Sequence, residues 1–368
     1  MGDDTNGTMK RWIWSFLLLL LLVQPAQAAT IPEELEQALP SEAEEILDEL
    51  GEQAVDTGSL SRGLQLLWDS ACGALEEIVK ESMGSAILVL GIVLLCSLAE
   101  DWAQAIESEQ TKQCVAVAGS AAITVAAAGS LHSLIALGVE MIGELNVFSK
   151  TLLPTLAAAL AAGGGVASAG LRHVAGVFFS DVLMTGIQDL LLPLVYFYIA
   201  VSAVHAALPE FRLKSIGKAI SKSTTWLLTG ALALYTGYLT VSGVVAQSAD
   251  TLTAQLTRSA IGAVPVVGSV LSDSAGAILS GAALLKNTIG VWGLLAVLAI
   301  CLLPVLRLAV QYLVFKATAF LAGTIGMSQL VELVDALGTA FGMVLGMTGA
   351  CALLLLISLI TAISVVIV

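Results

Sequence analysis

Four acidic residues stand close to the long apolar stretches that make up most of this sequence. They are Asp181, Asp189, Glu332 and Asp335. Ionisable side chains inside a membrane normally mark an ion or substrate pathway. All four lie in amphipathic flanks rather than in the middle of an apolar run, so they fit equally well at helix ends that contact water. Their positions weaken the interpretation of the chain as an ion-coupled transporter without excluding it.

The residues used by common enzymes are absent from the sequence or badly spaced. No CxxC pair occurs among Cys72, Cys96, Cys114, Cys301 and Cys351, and His132, His173 and His205 lie far apart. This scatter argues against a disulfide framework or a metal site. The sequence contains no GxxxxGK[ST], HExxH or GxSxG motif. We therefore expect a protein that is not an enzyme, has no cofactor or metal, and does not hydrolyse ATP itself.

A single basic cluster interrupts the apolar body. It consists of Arg212, Lys214, Lys218 and Lys222. The three lysines fall on one side of a predicted helix, whereas Leu213, Ile216 and Ile220 fall on the other. This pattern predicts a short helix lying on an anionic membrane surface, with about 1 kcal/mol of attraction for each lysine. The alternative is a cytoplasmic binding site for an acidic protein.

Glycines at four-residue spacing mark a helix that other helices can approach closely. Gly338, Gly342 and Gly346 form a GxxxGxxxG run, and Gly349 follows it. In lipid, such a face lets two backbones meet and gain packing contacts. The run predicts either packing within this chain or a subunit contact in a homo-oligomer.

The N-terminal residues have the pattern of a secretory signal peptide. Lys10 and Arg11 precede the apolar run 12–23, and Ala26-Gln27-Ala28 is a suitable cleavage site. We predict a signal peptide over residues 1–28, with an uncleaved anchor as the alternative. Translation starts at Met1 or at Met9.

Residues 29–81 form an acidic leader, with 14 Asp and Glu against 2 Lys and Arg. After a signal peptide this leader lies outside the cytoplasm. Ser41 and Glu44 form a capping box that predicts a helix start, and an apolar stripe from Leu60 to Ile78 predicts a second helix. The stripe needs a partner, which is the first helix, the membrane surface or another protein.

Residues 82–368 have the composition of a membrane domain, with 13 acidic and 11 basic residues. We predict an all-α, polytopic membrane protein with about six to eight apolar segments. The clear segments are Met83–Ala99, Cys114–Val139, Leu190–Leu208, Trp226–Val245, Ile289–Leu306 and Phe341–Val368, and the weaker ones are Thr151–Gly170 and Leu308–Gly326. The positive-inside rule places the basic cluster in the cytoplasm. Together with an external leader, this predicts that Thr151–Gly170 does not span and that the loop Glu100–Lys112 is cytoplasmic.

The stretch 246–307 has a distinctive pattern. An amphipathic helix is followed by a break at Pro265 between Gly262 and Gly268. Ser272-Asp273 is a plausible N-cap, and the apolar helix after it is expected to stop at Lys286-Asn287. The next span is expected to open at Ile289-Gly290 and to end near Pro304 and Arg307.

This stretch resembles the stage III sporulation protein AE family of endospore-forming bacteria. The residues that carry the resemblance are Val264-Pro265-Val266-Val267-Gly268, Ser272-Asp273, Leu284-Leu285-Lys286-Asn287, Ile289-Gly290 and Pro304. The cleaved signal, acidic leader and Gly/Ala-rich multi-span body are similar too, so the resemblance covers essentially the whole mature chain.

The resemblance implies a membrane component of a transenvelope channel or secretion-like complex between mother cell and forespore, located in the membrane around the forespore. Its expected partners are other membrane proteins of the sporulation A operon, their ATPase, and a forespore membrane protein. A homo-oligomer is possible, and we expect no nucleic acid partner. The family brings no established catalytic residues. The alternatives are a secondary transporter for a small solute and a scaffold that only anchors partners.

Overall fold

The chain folds into a bundle of long helices. The computed structural model describes residues 31–48, 59–105, 108–163, 165–211, 213–262, 268–324 and 327–363. The helices are α1 (Glu33–Glu36), α2 (Ser41–Asp48), α3 (Ser59–Ala105), α4 (Glu109–Ala162), α5 (Val166–Gly186), α6 (Leu192–Ala207), α7 (Lys214–Gly262), α8 (Gly268–Ala322) and α9 (Ser328–Ile363). A π-helical turn, Ile187–Leu191, joins α5 to α6, and a 3₁₀ turn, Pro209–Phe211, follows α6. The expected signal peptide, residues 1–28, lies outside the described residues.

Five described helical stretches are long and apolar enough to cross a membrane. They are Leu60–Ala105, Gln110–Ala162, Val166–Ala207, Ala283–Ala322 and Ser328–Ile363. The longest described helix, α8, has 55 residues, which corresponds to about 80 Å at 1.5 Å per residue. Because a hydrocarbon core is about 30 Å thick, the longest helices must extend well beyond the bilayer.

Neighbouring predicted segments merge among the described residues, which contain five candidate spanning stretches, and the number of six to eight segments stays a prediction. The first half of Thr151–Gly170 continues α4, and its second half begins α5 after a turn at Gly163. Ile289–Leu306 and the start of Leu308–Gly326 form one helix, α8. A fully hydrogen-bonded backbone is the stable solution in lipid, so weakly apolar residues between two strong segments do not end the helix.

The stretch 246–307 is corrected in the same way. One helix ends at Gly262 and the next begins at Gly268, whereas Pro265 lies outside the described residues. Lys286-Asn287 does not stop a helix, and Pro304 lies inside α8. Lys286 is buried, and its Nζ donates a hydrogen bond to the carbonyl of Ile363 at the end of α9, 2.9 Å away. Lys286 therefore stabilises the C-terminal end of α9, where a positive charge is favourable. Its own helix, α8, continues past it.

The acidic leader packs on the bundle. The predicted helix begins at Ser41 as α2, and Leu35, Ala43 and Leu47 are buried. Helix α2 packs against α3 and α8, and α1 contacts α4. The second predicted helix is the first part of α3, which continues without a break into Met83–Ala99. The structure thus gives the leader an intramolecular partner, and its expected position outside the cytoplasm stays a prediction.

The turn between α3 and α4 and the basic cluster lie at the same end of the bundle. A Cβ atom placed on Gly119 of α4 would lie 2.8 Å from Cys96 Sγ and 2.8 Å from a methyl carbon of Leu330. Two residues further along α9, Glu332 contacts Lys214. This end is called the basic end below. At the opposite end, Asp250 of α7 accepts hydrogen bonds from the N–H groups of Ala167 and Ser168, at 2.9 and 3.0 Å, and so caps α5.

Candidate functional site: a polar groove between α7 and α9

Glu332 joins three helices at the basic end. Lys214 Nζ, at the start of α7, donates a hydrogen bond to Glu332 Oε1 of α9 at 2.5 Å. His205 Nε2 of α6 lies 3.7 Å from Glu332 Oε2. The side chains of Lys214 and Glu332 are 49% and 44% exposed, so water screens the pair and its contribution to stability is small. Arg212 lies outside the described residues.

A second ion pair ties α8 to α9 one turn further into the bundle. Lys316 Nζ lies 2.6 Å from Asp335 Oδ1, and it also donates to the Asp335 carbonyl at 3.1 Å and to Thr339 Oγ1 at 2.9 Å. Lys316 is more buried than Lys214, at 29% exposure of its side chain. Its three acceptors all lie on α9, so the lysine fixes the register of the two helices.

Lys214, Glu332 and Asp335 line a hollow of about 390 Å³. Tyr198, Ser202 and His205 form one wall on α6, and Gln329 to Thr339 of α9 form another. The third wall is the start of α7, including Lys214, Lys218 and Lys222. Lys214, Lys218 and Lys222 therefore line the first hollow. Contact with a membrane surface would account for only part of their surroundings.

A second hollow of about 530 Å³ continues from the first. Ser221 and Thr339 line both hollows, so we describe them together as the groove. Its wall on α7 carries Thr224, Thr225 and Thr229. Its wall on α9 is formed mainly by small residues, and Tyr312 and Lys316 of α8 close the third side. The groove therefore runs from a charged mouth into a region where threonine hydroxyls and glycine backbone lie among apolar side chains such as Leu228, Leu232 and Leu353.

The structure places the four candidate packing glycines in two different surroundings. A Cβ on Gly338 would lie 3.3 Å from Phe315 Cβ, and one on Gly342 would lie 3.0 Å from two ring carbons of Tyr312. Both glycines therefore pack against α8 of the same chain. A Cβ on Gly346 would be 3.8 Å from Leu228, and one on Gly349 would meet nothing within 4 Å. Gly342, Gly346 and Gly349 line the groove.

None of the family-like motif residues whose side chains the structure describes lines this groove. Gly268, Ser272 and Asp273 belong to the described backbone of α8, but their side chains lie outside the described part. Asn287 is exposed, Pro304 is buried inside α8, and a Cβ on Gly290 would collide with Ile363. Lys286 and Gly290 therefore hold the first half of α8 against the end of α9. Of the four flanking acidic residues, only Glu332 and Asp335 reach the groove, whereas Asp181 and Asp189 are exposed on other helices.

Among the described residues there is no group of three His, Cys, Asp or Glu side chains that could hold a metal ion. The groove can bind polar or charged solutes and water, since it offers lysines, carboxylates and hydroxyls.

The sequence reading overlooked Lys316. The available signal was a single cation inside the apolar helix 308–322, which marks a functional position in a membrane segment. It also overlooked the threonines of α7, whose spacing places them on the lysine face.

Comparison with known proteins assigns the family. The family profile of stage III sporulation protein AE matches residues 47–366, which include α3 to α9 and every residue of the groove. This chain belongs to the stage III sporulation protein AE family. The resemblance seen in the sequence is thereby confirmed for the whole helical body.

A curated relative, the stage III sporulation protein AE of Bacillus subtilis (strain 168), is 24% identical to this chain over 214 residues. The match covers 58% of this chain and 54% of the relative, so the chain spans about half the length of the curated relative that it matches. No solved structure matches the fold. With its five apolar helical stretches, the chain is a multi-pass membrane protein of a sporulation family that is not a known enzyme family.

Proposed function

We propose that this protein is a non-enzymatic membrane subunit of the transenvelope channel or secretion-like complex that links mother cell and forespore during endospore formation. The observation that carries the proposal is the groove, whose two adjoining hollows of about 390 and 530 Å³ place lysines, carboxylates and threonine hydroxyls along an otherwise apolar bundle. Membership of a sporulation family supports the process, and the groove supports the passage or binding of polar solutes.

In this proposal the partners are the other membrane proteins of the sporulation A operon, a forespore membrane protein reached through them, and further copies of this chain. An ATPase of the same operon supplies energy, because the sequence contains no phosphate-binding loop. The protein sits in the mother-cell membrane around the forespore, and residues 29–81 face the space between the two membranes. Glycines 346 and 349 remain open for contacts with another subunit.

A secondary transporter is the second candidate, and one observation favours it. Lys214–Glu332 and Lys316–Asp335 pair ionisable side chains of different helices along the groove. Transporters commonly couple such pairs to ion movement. The pairs lie at the basic end and are largely accessible to water, which is less typical of a midplane coupling site.

The test uses a tagged chain in sporulating cells of a host that lacks its own copy. Membranes are solubilised in mild detergent, the chain is isolated, and the host's spore titre is counted. The channel proposal expects co-isolation of the other A operon proteins and recovery of the spore titre. A chain that restores sporulation, binds none of them and drives solute uptake when purified into liposomes would establish the transporter. Failure of both co-isolation and uptake would refute both proposals, whereas a stable complex with the A operon proteins that shows no conductance would support the scaffold.

A further inference from the structure

Helix α7 carries one continuous polar face. At 100° per residue, its lysines and exposed threonines fall within an arc of roughly 100°. They are Lys214, Lys218, Lys222, Thr225, Thr229, Thr236 and Thr240. From Lys214 to Thr240 the helix rises about 39 Å at 1.5 Å per residue, which exceeds the thickness of a hydrocarbon core, about 30 Å. We call these seven residues the polar face.

The threonines of the polar face are exposed, and they remain able to accept hydrogen bonds. The hydroxyls of Thr225, Thr236 and Thr240 donate to backbone carbonyls four residues earlier, at 3.0, 2.7 and 2.8 Å. This pattern satisfies the hydroxyl proton within the helix. Each oxygen still has accepting capacity that lipid cannot meet. A row of such oxygens is therefore better placed against water than against acyl chains.

The opposite face of α7 is apolar and equally exposed. Leu227, Leu234 and Val241 are 40%, 70% and 69% exposed, and they lie roughly 180° from the polar face. The helix thus presents one face suited to lipid and another suited to water at the same depths. The helix packs along α5, α6 and α9.

The groove runs beside the polar face and contains a buried hydroxyl that has no partner. Thr224 is 1% exposed and lines the second hollow, and its Oγ1 has no hydrogen-bond partner among the described residues. Leaving such a group unpaired costs about 1–3 kcal/mol. The groove is wide enough for water, which would satisfy it. Of the polar-face threonines, Thr225 and Thr229 line this hollow, together with Leu228 and Leu232 of the same helix.

The mouth of the groove has an excess of positive charge. Lys214 pairs with Glu332, and Lys316 pairs with Asp335. Among the described residues, Lys218 and Lys222 have no carboxylate within ion-pair distance, and both line the first hollow. Rings or clusters of lysine favour anions at the entrance of a pore.

We propose that the polar face of α7 lines a water-filled conduit in the assembled complex, and that its lysine mouth favours small hydrated anionic solutes. Other copies of the chain supply the rest of the wall, because one helix face and a lateral groove do not enclose a passage. This inference rests on the proposed function, since a lone chain would have no enclosed conduit.

The test is thiol labelling in the assembled complex in native membrane vesicles. The background replaces the accessible native cysteines, Cys72, Cys96 and Cys114, by serine. Single cysteines are then placed at Thr225, Thr236 and Thr240, and matched controls at Leu227, Leu234 and Val241. Each vesicle sample is treated with membrane-impermeant methanethiosulfonate reagents, one cationic and one anionic. The protein is then denatured in detergent, and an excess of a second thiol label measures the cysteines that did not react.

The threonine-face cysteines are expected to react at least about tenfold faster than their controls, because only the thiolate reacts and an apolar surrounding suppresses its formation. At Thr225→Cys, the anionic reagent is expected to gain on the cationic one. That preference should fall when Lys218 and Lys222 are changed to glutamine. Equal rates on the two faces would overturn the conduit. A reagent ratio that is unchanged by the glutamine changes would overturn the anion preference.

The same strains keep this inference separate from the proposed function. Co-isolation of the A operon proteins and the spore titre are measured for every variant. Intact assembly and sporulation with unreactive threonine-face cysteines would refute the conduit and leave the channel subunit standing. If the serine substitutions alone abolish assembly, the same single cysteines are tested in a background with alanine at Cys72, Cys96 and Cys114.

Discussion

Replacing Gly342 by leucine should destabilise the chain itself, and the matched change at Gly349 should not. A Cβ on Gly342 would lie 3.0 Å from both Cδ2 and Cε2 of Tyr312, whereas a Cβ on Gly349 would meet nothing within 4 Å. Both glycines line the same groove on the same helix. The pair therefore separates a steric effect within the bundle from the general effect of a leucine in the groove.

The expected magnitude follows from two opposing effects. Filling packed space with extra methylene groups costs about 1–3 kcal/mol. Removing a glycine from a helix interior gains up to about 1 kcal/mol. Gly342→Leu should therefore lose roughly 1–2 kcal/mol, and Gly349→Leu should be neutral or slightly stabilising. The difference between the two variants should approach 2 kcal/mol.

The assay is reversible unfolding of the purified chain in mixed micelles of increasing SDS fraction, followed by tryptophan fluorescence. A second variant tests the cause. Tyr312→Ala removes the ring that the leucine would meet, so the double variant should recover part of the loss through a favourable coupling energy. Equal stabilities for Gly342→Leu and Gly349→Leu, or no coupling with Tyr312, would refute the argument. An altered oligomer size with unchanged stability would instead support a subunit contact at Gly342.

Three further changes test single contacts. Asp250→Ala should cost about 0.5–2 kcal/mol and speed hydrogen exchange at the start of α5, whereas Asp181→Ala on the exposed side of α5 should leave it unchanged. Lys316→Met should cost about 1 kcal/mol, after allowance for its exposure, in the same unfolding assay, with the exposed Lys218→Met as its control. Lys214→Met should cost less than about 1 kcal/mol, and its effect should vanish in molar salt, since the pair is exposed.

The resemblance to the family could be seen in the sequence because it rests on local order. A run such as Pro265 to Gly268 followed by Lys286-Asn287 is read directly along the chain. The assumption that Lys286-Asn287 ends a helix failed for a physical reason. Lys286 Nζ donates a hydrogen bond to the carbonyl of Ile363, the last residue of α9. The helix propensities of single residues do not indicate a partner so distant in the sequence.

The groove could be foreseen only in parts. The lysines of α7 and the acids Glu332 and Asp335 were both recognised, but they are separated by more than a hundred residues. Periodicity places residues on a face of their own helix. It does not say which helix faces them, so the pairs of Lys214 with Glu332 and of Lys316 with Asp335 could not be derived.

The sequence by itself determined an all-helical membrane protein, the start of α2 at Ser41 and the family. These features depend on composition, on local capping and on the cost of leaving the backbone unpaired in lipid. Only the tertiary structure decided that neighbouring apolar segments merge, that Gly338 and Gly342 pack on α8, and that the lysine face continues into a hydroxyl-lined groove. Those outcomes depend on contacts between distant helices, which one-dimensional patterns do not encode.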